Sequence, residues 1–319
     1  MKKILSICYP TYNRGWCIRT QIERLKLCPK EIFEKIEIII SDNCSTDDTQ
    51  EIVEKAMQNG FPCKYVRNKT NLGMDGNFVN CLKIASAKYV WLLGDDDLIL
   101  IESLTKIVNV LDCDEDFGLV HINTDLSNNK SEVVKYDNID EFSKELSFWF
   151  TFISGNISQT KFVKDINFDM YFGTYFTQVP LFLKSMYEIP NNVILNYPVF
   201  DLGIDSKNNG GYNFFQVFVA NYLNIIGEAK KLGYIKQSTY DYMKKDIYIR
   251  FIVERINRYL IHRKKNNIRY ENGWKIVHKY YHNEYYYYYF TIPKLISMNL
   301  HSVYNKIKSL IKKCLITKK

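Results

Sequence analysis

The first 125 residues alternate between short apolar blocks and longer segments in which apolar residues recur every three or four positions. The short blocks, which predict β-strands, are residues 4–9, 36–40, 63–66, 89–93 and 117–122. The longer segments predict helices between them; Ile18, Ile22 and Leu25, for example, fall on one helical face. Alternation of this kind predicts an α/β fold with a mostly parallel sheet and helices on both of its faces.

Three of the predicted strands are followed by polar loops. These loops are residues 10–14, 42–47 and 94–97. Residues 36–40 are nearly all isoleucine, which is typical of a strand covered on both faces in a parallel sheet. Because right-handed crossovers bring the carboxyl ends of parallel strands to one edge, we expect the three loops to share that edge.

The loop after the apolar block 89–93 contains three consecutive acids, Asp95, Asp96 and Asp97, directly behind Gly94. Adjacent carboxylates repel one another and are costly to bury without a partner. A divalent cation removes the repulsion, and hard oxygen ligands suit Mg²⁺ or Mn²⁺. The pattern favours a metal site at the strand's end; the alternative is a solvated acidic turn before a helix.

The rest of the chain is less regular. Residues 123–210 mix aromatic clusters with turn residues, and from about residue 212 the pattern becomes helical. We therefore predict an α/β domain over residues 1–211, which carries the polar loops, and a helical C-terminal region over residues 212–319 that ends in a basic tail.

Composition narrows the class of protein. With 319 residues and 46% apolar content, the chain is long enough for one large core. Its 8 cysteines show no Cys-x-x-Cys pairing, which fits reduced thiols in a cytosolic protein. The apolar start breaks at Pro10, too early for a secretion signal, and no run of about 20 apolar residues predicts a membrane-spanning helix. We therefore expect a cytoplasmic protein.

The net charge of +8 is concentrated near the C-terminus, where no acid follows Glu284. In the tail, Val303, Ile307 and Leu310 fall on one helical face and lysines lie largely elsewhere. This pattern is typical of a helix that lies on an anionic membrane surface, possible also at the inner membrane. The alternative is a helix packed on its own domain or on a second copy of the chain, as in a homo-oligomer.

Four segments, in chain order, resemble the successive motifs of family 2 glycosyltransferases of the GT-A fold. They are Pro10-Thr11-Tyr12-Asn13-Arg14, Ser41-Asp42-Asn43-Cys44-Ser45-Thr46-Asp47, Asn71-Leu72-Gly73 with Gly76-Asn77, and Gly94-Asp95-Asp96-Asp97. The resemblance covers roughly residues 3–125 and points to the bacterial branch with abequosyltransferase-like enzymes. It implies a metal-dependent, inverting sugar transfer in capsule, O-antigen or lipooligosaccharide synthesis, with Mn²⁺ or Mg²⁺ as cofactor.

The resemblance implies a role for the first two loops in binding the donor's base. Pro10 and Tyr12 would contact the base, Tyr12 by stacking, and Asp42 would accept a hydrogen bond from it. A hydrogen bond of that kind suits the imide of uracil, so a UDP-sugar is the favoured donor. The acceptor would be a glycan or a lipid-linked glycan.

The other two motifs would bind the rest of the donor. By resemblance, Asn71 and Asn77 would lie near the ribose and diphosphate, Asp95 and Asp96 would face the ribose and sugar, and Asp97 would hold the metal and act in catalysis. A carboxylate-held Mg²⁺ keeps coordination positions open for phosphate oxygens, which agrees with these roles.

An inverting transfer also needs a general base for the acceptor hydroxyl. Many relatives have an acidic pair downstream of the metal motif, but the comparable stretch here offers Gln178, whose amide takes no proton. The nearby alternatives are Asp169, Glu188 and Asp201. We favour Asp169, because Asn167-Phe168-Asp169 resembles the Gly-Phe-Asp stretch that precedes the base in the family.

Three other functions compete with sugar transfer. A sugar nucleotidyltransferase would need a glycine-rich basic loop after the first strand, where residues 10–15 supply only Arg14 and one glycine. A nucleotide-sugar-binding scaffold subunit without a base is compatible with Gln178. Nucleic acid is not an expected partner, because we find no recognised motif and the acids argue against a polyanion groove.

Overall fold

The computed structural model describes residues 3–127, 130–201, 211–261 and 268–293. The chain divides into two units, one formed by Met1–Asn208 with Ala229–Thr239 and the other by Asn209–Glu228 with Tyr240–Lys319. The predicted domain limit between residues 211 and 212 stays a sequence-based prediction.

The first unit contains one eight-stranded sheet. Its strands are β1 Leu5–Thr11, β2 Ile36–Asp42, β3 Lys64–Arg67, β4 Tyr89–Leu92, β5 Leu119–Ile122, β6 Val133–Tyr136, β7 Asn156–Gln159 and β8 Asn192–Leu195. The spatial order is β3-β2-β1-β4-β7-β5-β8-β6. The pairings among β3, β2, β1 and β4 are parallel, and so is β5 with β8. β7 is antiparallel to both β4 and β5, and β6 is antiparallel to β8. The predicted mostly parallel sheet is therefore confirmed, with antiparallel insertions.

Helices cover both faces of this sheet, as predicted. They are α1 Gly15–Leu25, α2 Lys30–Phe33, α3 Thr49–Gln58, α4 Gly73–Ile84, α5 Ile101–Leu111, α6 Ile139–Leu146 and α7 Val179–Glu188. Successive side chains of a strand point to opposite faces, so each central strand supplies two apolar clusters. Ile7 and Trp91 belong to the cluster with α1, α3 and α5, whereas Cys8 and Leu92 belong to the cluster with α4 and α7.

The described residues from 211 onward are helical, which confirms the predicted helical C-terminal region. The α-helices are α8 Tyr222–Lys231, α9 Gln237–Ile247, α10 Val253–Arg255 and α11 Gly273–Tyr281. π-Helical turns occupy Gln216–Asn221, Tyr248–Ile252 and Ile256–Ile261. Phe214, Phe218 and Phe251 pack with ring centroids 5.0–5.3 Å apart, so aromatic contacts hold this unit together.

Two element boundaries differ from the sequence prediction. β1 does not end at Pro10 but continues to Thr11, because β4 pairs only with Leu5–Cys8 and leaves Pro10 beside β2 alone. α4 begins at Gly73 rather than at residue 78, so the predicted polar loop 71–77 is partly helical. Asn43 Oδ1 accepts from Leu72 N at 2.8 Å and holds the start of α4 against the end of β2.

Three elements in the irregular middle region were not predicted. They are β6, α6 and β8. β8 has only four residues, Asn192–Leu195, and is flanked by turn residues, so its pattern is too short to separate from a loop. Its position beside β5 comes from long-range pairing, in which Val120 lies opposite Val193.

The basic amphipathic segment near the C-terminus, residues 295–319, lies outside the described residues. Among the helices that the structure describes, none has both the length and the hydropathy that crossing a bilayer requires.

Candidate active site

The three polar loops meet at one edge of the sheet, as the sequence predicts. β1 lies between β2 and β4, so the chain enters neighbouring strands on either side of it. In open α/β sheets, ligands bind beyond the carboxyl strand ends at such a switch point. Here Thr11 ends β1, Asp42 ends β2, and the turn Gly94–Asp97 follows β4. We call this edge the carboxyl edge.

The turn that carries the three acids is fastened by backbone contacts. Asp97 N donates to Gly94 O at 3.1 Å and closes the turn. From α1, the Gln21 amide donates to Asp95 O at 3.2 Å and to Asp97 O at 2.9 Å. The Gln21 side chain is buried, so these bonds are shielded from water. The acidic side chains therefore project from a backbone with a defined conformation.

Asp95 is the buried member of the triple acid. Its two oxygens accept from Thr11 Oγ1 at 2.7 Å and from Arg14 Nη1 at 2.6 Å. Burial raises the pKa of Asp95, while Arg14 and Thr11 oppose that rise. Arg14 also lies 3.4 Å from Asp96 Oδ2. One guanidinium thus offsets part of the repulsion among the adjacent carboxylates.

Asp97 is held by one oxygen only. Ser154 Oγ donates to its Oδ2 at 2.5 Å, and no hydrogen bond from the described residues reaches its Oδ1. Burial raises the pKa of Asp97, the charges of Asp96 and Asp95 add to that rise, and the Ser154 bond opposes it. A group whose charge is disfavoured in this way gains most from a nearby cation.

The donor set at this turn fits a divalent cation that shares its coordination with a substrate. The described residues contain no group of three or more His, Cys, Asp or Glu side chains arranged as a complete metal site. Mg²⁺ and similar ions need only one or two protein carboxylates when phosphate oxygens and water fill the remaining positions. Asp97, with one oxygen that no described residue contacts, meets that requirement.

Asp42 holds the second loop. Its carboxylate has no exposed surface; Oδ1 accepts from Ser45 N at 2.8 Å and Oδ2 accepts from Tyr65 OH at 2.7 Å. Arg67 Nε lies 3.5 Å from Oδ2. These contacts make Asp42 the anchor of the turn at the end of β2. Its contact with a base stays a prediction.

The two asparagines of the third motif have different positions. Asn77 is buried: its Oδ1 accepts from Ser41 Oγ at 2.7 Å, and its Nδ2 donates to Ser41 O at 2.9 Å. Asn71 is exposed, and its Oδ1 accepts from Asn43 Nδ2 and Gly73 N, each at 2.8 Å. Asn77 therefore joins α4 to β2, whereas Asn71 orders the surface of the loop.

The side chains predicted to contact the base lie at the end of β1. Pro10 is half-buried and pairs with Ser41 of β2. Tyr12 follows Thr11 and is 43% exposed, so its ring face is open to a planar ligand. Asn13, with φ 53°, accepts through Oδ1 from Thr46 N at 2.7 Å and joins the first loop to the second.

The candidates for the general base lie in different parts of the first unit. Asp169 is exposed on the turn Phe168–Tyr171, whose Phe168 ring is buried in the cluster with α4. Asp201 accepts from Arg24 at 2.8 Å. Glu188 ends α7, near Ser185, whose Oγ accepts from Gln159 N at the edge opposite the acids. Glu188 therefore lies away from the carboxyl edge.

The stretch that ends in Gln178 is attached to α4. Asp75 accepts from Gly173 N and from Thr177 Oγ1, both at 2.7 Å. Tyr175, between them, has φ 64°, a conformation that a bulky residue rarely adopts. Sequence reasoning assigned no role to Asp75, Arg14, Gln21 or Ser154. Arg14 lies within a motif, but Ser154 is 57 residues from Asp97 and has no local signal.

The sequence profile of glycosyl transferase family 2 matches residues 6–175, which is more than half of the chain. The chain belongs to this family. The matched region contains all of the carboxyl-edge residues described above, so the predicted family and GT-A fold are confirmed.

Two curated family relatives resemble part of the chain. The abequosyltransferase of Salmonella typhimurium is 38% identical over 117 residues, which are 36% of this chain and 35% of the relative. A GalNAc(5)-diNAcBac-PP-undecaprenol β-1,3-glucosyltransferase of Campylobacter jejuni is 33% identical over 105 residues, 33% of each chain. The matches thus span about a third of the length of these relatives.

A solved structure extends the similarity of fold beyond this region. The S. aureus TarS fragment 1–349, in complex with UDP, superposes with a TM-score of 0.59 at 18% identity. The match covers 83% of this chain and 76% of that one. It supports the assignment of the fold.

Proposed function

We propose that this chain is a metal-dependent, inverting glycosyltransferase that moves a sugar from a nucleotide-sugar donor, with a UDP-sugar favoured, to a glycan or lipid-linked acceptor of bacterial surface polysaccharide. The observation that carries the proposal is Asp97, held at the carboxyl edge by one oxygen. Family membership and the sugar-transferase names of both relatives support it. The Campylobacter relative's name includes an undecaprenol diphosphate, which supports a lipid-linked acceptor.

Inversion follows from a single displacement. The acceptor hydroxyl attacks the anomeric carbon from the face opposite the diphosphate, so one bond forms as the other breaks. A divalent cation, when bound, stabilises the negative charge that the departing diphosphate gains. Asp97 would contribute its Oδ1 to that cation. Arg14 offsets the charge of Asp95 and Asp96, so the turn keeps its conformation when no cation is bound.

The acceptor hydroxyl must also lose its proton. We assign this step to Asp169, on the resemblance of residues 167–169 to the family's stretch before the base. Its exposed carboxyl and the buried Phe168 beside it support the assignment, because the turn is anchored while the acid stays accessible. The oxygen of the leaving phosphate receives no proton from this chain in the proposed step.

Replacing Tyr12 tests the proposed base contact. We expect Tyr12→Ala to weaken UDP binding about tenfold, since an aromatic stack on a nucleobase contributes about 1–3 kcal/mol. Tyr12→Phe should bind as the wild type does, because the ring face is kept. Titration calorimetry measures both. Tyr288→Ala is the matched control, because Tyr288 is 45% exposed against 43% for Tyr12. Equal UDP affinity in Tyr12→Ala and wild type would remove Tyr12 from the donor site.

A thermal-shift screen against UDP, GDP, CDP and dTDP, each with and without Mn²⁺, tests the proposed function. A ligand that binds only the folded protein raises the melting temperature, by about 2.7 kcal/mol of stabilisation at 100 times its dissociation constant. We expect the largest rise with UDP and Mn²⁺ together. A rise that is equal with and without Mn²⁺ would contradict metal dependence, and no rise with any nucleotide would contradict the donor site.

Binding of a nucleotide-sugar without turnover is the second candidate, and one observation favours it. Gln178, at the start of α7, is buried, and its Oε1 has no hydrogen-bond partner within the described ranges. An amide there cannot replace the acid that many relatives have. Release of UDP from a bound donor, measured in the samples that show a thermal shift, separates an enzyme from a scaffold subunit.

A further inference from the structure

Ser154 lies outside every motif that identifies the family, yet its hydroxyl contacts the acidic turn at two points. Its Oγ donates to Asp97 Oδ2 at 2.5 Å and accepts from Gly94 N at 2.9 Å. Because the backbone N–H of Gly94 can only donate, the hydroxyl proton must point to the carboxylate. The serine therefore joins the first and last residues of the turn.

The antiparallel direction of β7 is what brings Ser154 to this position. Trp91 of β4 lies opposite Ile157 of β7. In an antiparallel pair, each step forward on one strand is a step back on the other, so three further residues bring Gly94 opposite Ser154. A parallel strand beside β4 would begin at the far edge of the sheet. The reversal of strand direction next to β4 thus supplies the acidic turn with a side chain from a distant segment.

The serine is itself held from the opposite side. Its side chain is fully buried, and its carbonyl oxygen accepts from Trp91 Nε1 at 2.8 Å. Asn156 Nδ2 donates to Phe150 O and Phe152 O, both at 2.8 Å, and orders the turn just before β7. The Ser154 hydroxyl is therefore attached to a rigid backbone rather than to a surface loop.

Gly94 leaves the space that the contact needs. A Cβ at this position would lie 2.8 Å from Asp97 Oδ2 and 3.3 Å from Ser154 Oγ. Both distances are shorter than ordinary contacts between a methyl carbon and oxygen. A side chain at residue 94 would thus push the carboxylate and the hydroxyl apart.

We infer that Ser154 is a positioning residue: it fixes Asp97 Oδ2 so that Oδ1 is presented to a divalent cation and the donor diphosphate. The inference rests on the proposed function, because it names the residue that orients the proposed metal ligand. Side chains that orient a ligand of a metal typically change metal affinity about 10- to 100-fold when they are removed. Ser154 acts through Asp97 and touches neither cation nor sugar in this role.

The test is the Mn²⁺ affinity of the full chain with saturating UDP, measured by titration calorimetry and by the electron paramagnetic resonance signal of free Mn²⁺. We expect Ser154→Ala to bind Mn²⁺ about 10- to 100-fold more weakly than wild type. Ser154→Thr keeps the hydroxyl and should regain most of the affinity. Ser158→Ala is the matched control, because Ser158 is buried on β7 and its Oγ has no hydrogen-bond partner among the described residues.

Each outcome decides a different claim. If wild type binds Mn²⁺ with UDP and Ser154→Ala binds it equally well, the inference about Ser154 is wrong while the proposed function stands. If Ser154→Ala and Ser158→Ala lose affinity equally, the effect is a general disturbance of β7 and the inference is also overturned. If wild type shows no UDP-linked Mn²⁺ binding, the proposed function fails first. Rescue by threonine, with Ser158→Ala unchanged, supports the positioning role.

Discussion

Asp97→Asn is expected to abolish Mn²⁺-dependent donor binding while the protein stays folded. The amide is nearly the same shape as the carboxylate and can still accept from Ser154 through its oxygen. It carries no charge, however, and is a poor ligand for a hard cation. Loss of the ligand itself should cost more than the roughly 10- to 100-fold that loss of a supporting residue costs.

The same substitution should leave stability unchanged or raise it in metal-free buffer. Burial raises the pKa of Asp97, and the charges of Asp96 and Asp95 add to that rise, so the ionised carboxyl is less favourable in the folded protein than in the unfolded chain. A neutral amide removes that cost.

Melting curves with and without UDP and Mn²⁺ measure both effects in one experiment. Asp97→Asn should melt at or above the wild-type temperature without ligand and gain nothing from UDP and Mn²⁺. Asp112→Asn is the control, because Asp112 is a partly exposed acid that pairs with Lys35 at 2.7 Å. Wild-type affinity for UDP with Mn²⁺ in Asp97→Asn would exclude Asp97 as the metal ligand.

The folded protein is expected to lose stability between pH 6.5 and about pH 4 because of one buried histidine. His121 lies on β5, and burial lowers its pKa to about 4, while hydrogen bonds with Asn156 and Gly155 oppose the shift. Its Nδ1 lies 3.0 Å from Asn156 Oδ1. Since Asn156 Nδ2 already donates to two carbonyls, Nδ1 carries the proton in this hydrogen bond.

The sign of the effect follows from the two protonation states. An unfolded histidine has a pKa near 6.5, so below that pH the unfolded chain binds a proton that folded His121 does not. The stabilisation is fully present above pH 6.5 and is lost as the pH falls to about 4. With a pKa difference of about 2.5, the total loss is about 3 kcal/mol.

Urea unfolding at pH 7 and pH 4.5 checks this expectation. Other groups titrate in the same range, so the comparison is with His121→Gln, which is polar but does not titrate there. The free energy of unfolding of wild type should fall by roughly 2 kcal/mol more than that of the variant between the two pH values. Equal pH dependence of the two proteins would mean that His121 is not held neutral by burial.

The histidine also bears on the site. Asn156, its partner, orders the turn at residues 150–155 that carries Ser154. A buried positive charge at His121 would disturb that turn first, because the other side of the histidine is packed against the sheet. Protonation therefore links global stability to the support of the acidic turn.

The first four parallel strands were predictable because their signals are local. A buried strand such as β2 must be apolar on both faces, and α5 was predicted at residues 101–111, where the structure has it. Motif order then located the carboxyl edge, since parallel strands joined by helices end at the same side. The family resemblance was carried by the same residues.

Prediction failed where local signals were short or misleading. Gly73 and Gly76 made residues 71–77 look like a loop, although Asn43 and Asp75 hold that stretch as the start of a helix. β8 is four residues long and depends on pairing with β5 and β6. Neither the reversed direction of β7 nor the contact between Ser154 and Asp97 has a counterpart in the local pattern.

The sequence by itself determined the family, the α/β class and the carboxyl edge with its three adjacent acids. These depend on residue type and on spacing along the chain, which a sequence contains directly. Only the tertiary structure decided that Arg14 neutralises Asp95, that Asp42 is buried in its turn, and that Ser154 restrains Asp97. Those contacts depend on strand order and direction, and the interactions that select them are spread over residues far apart in the chain.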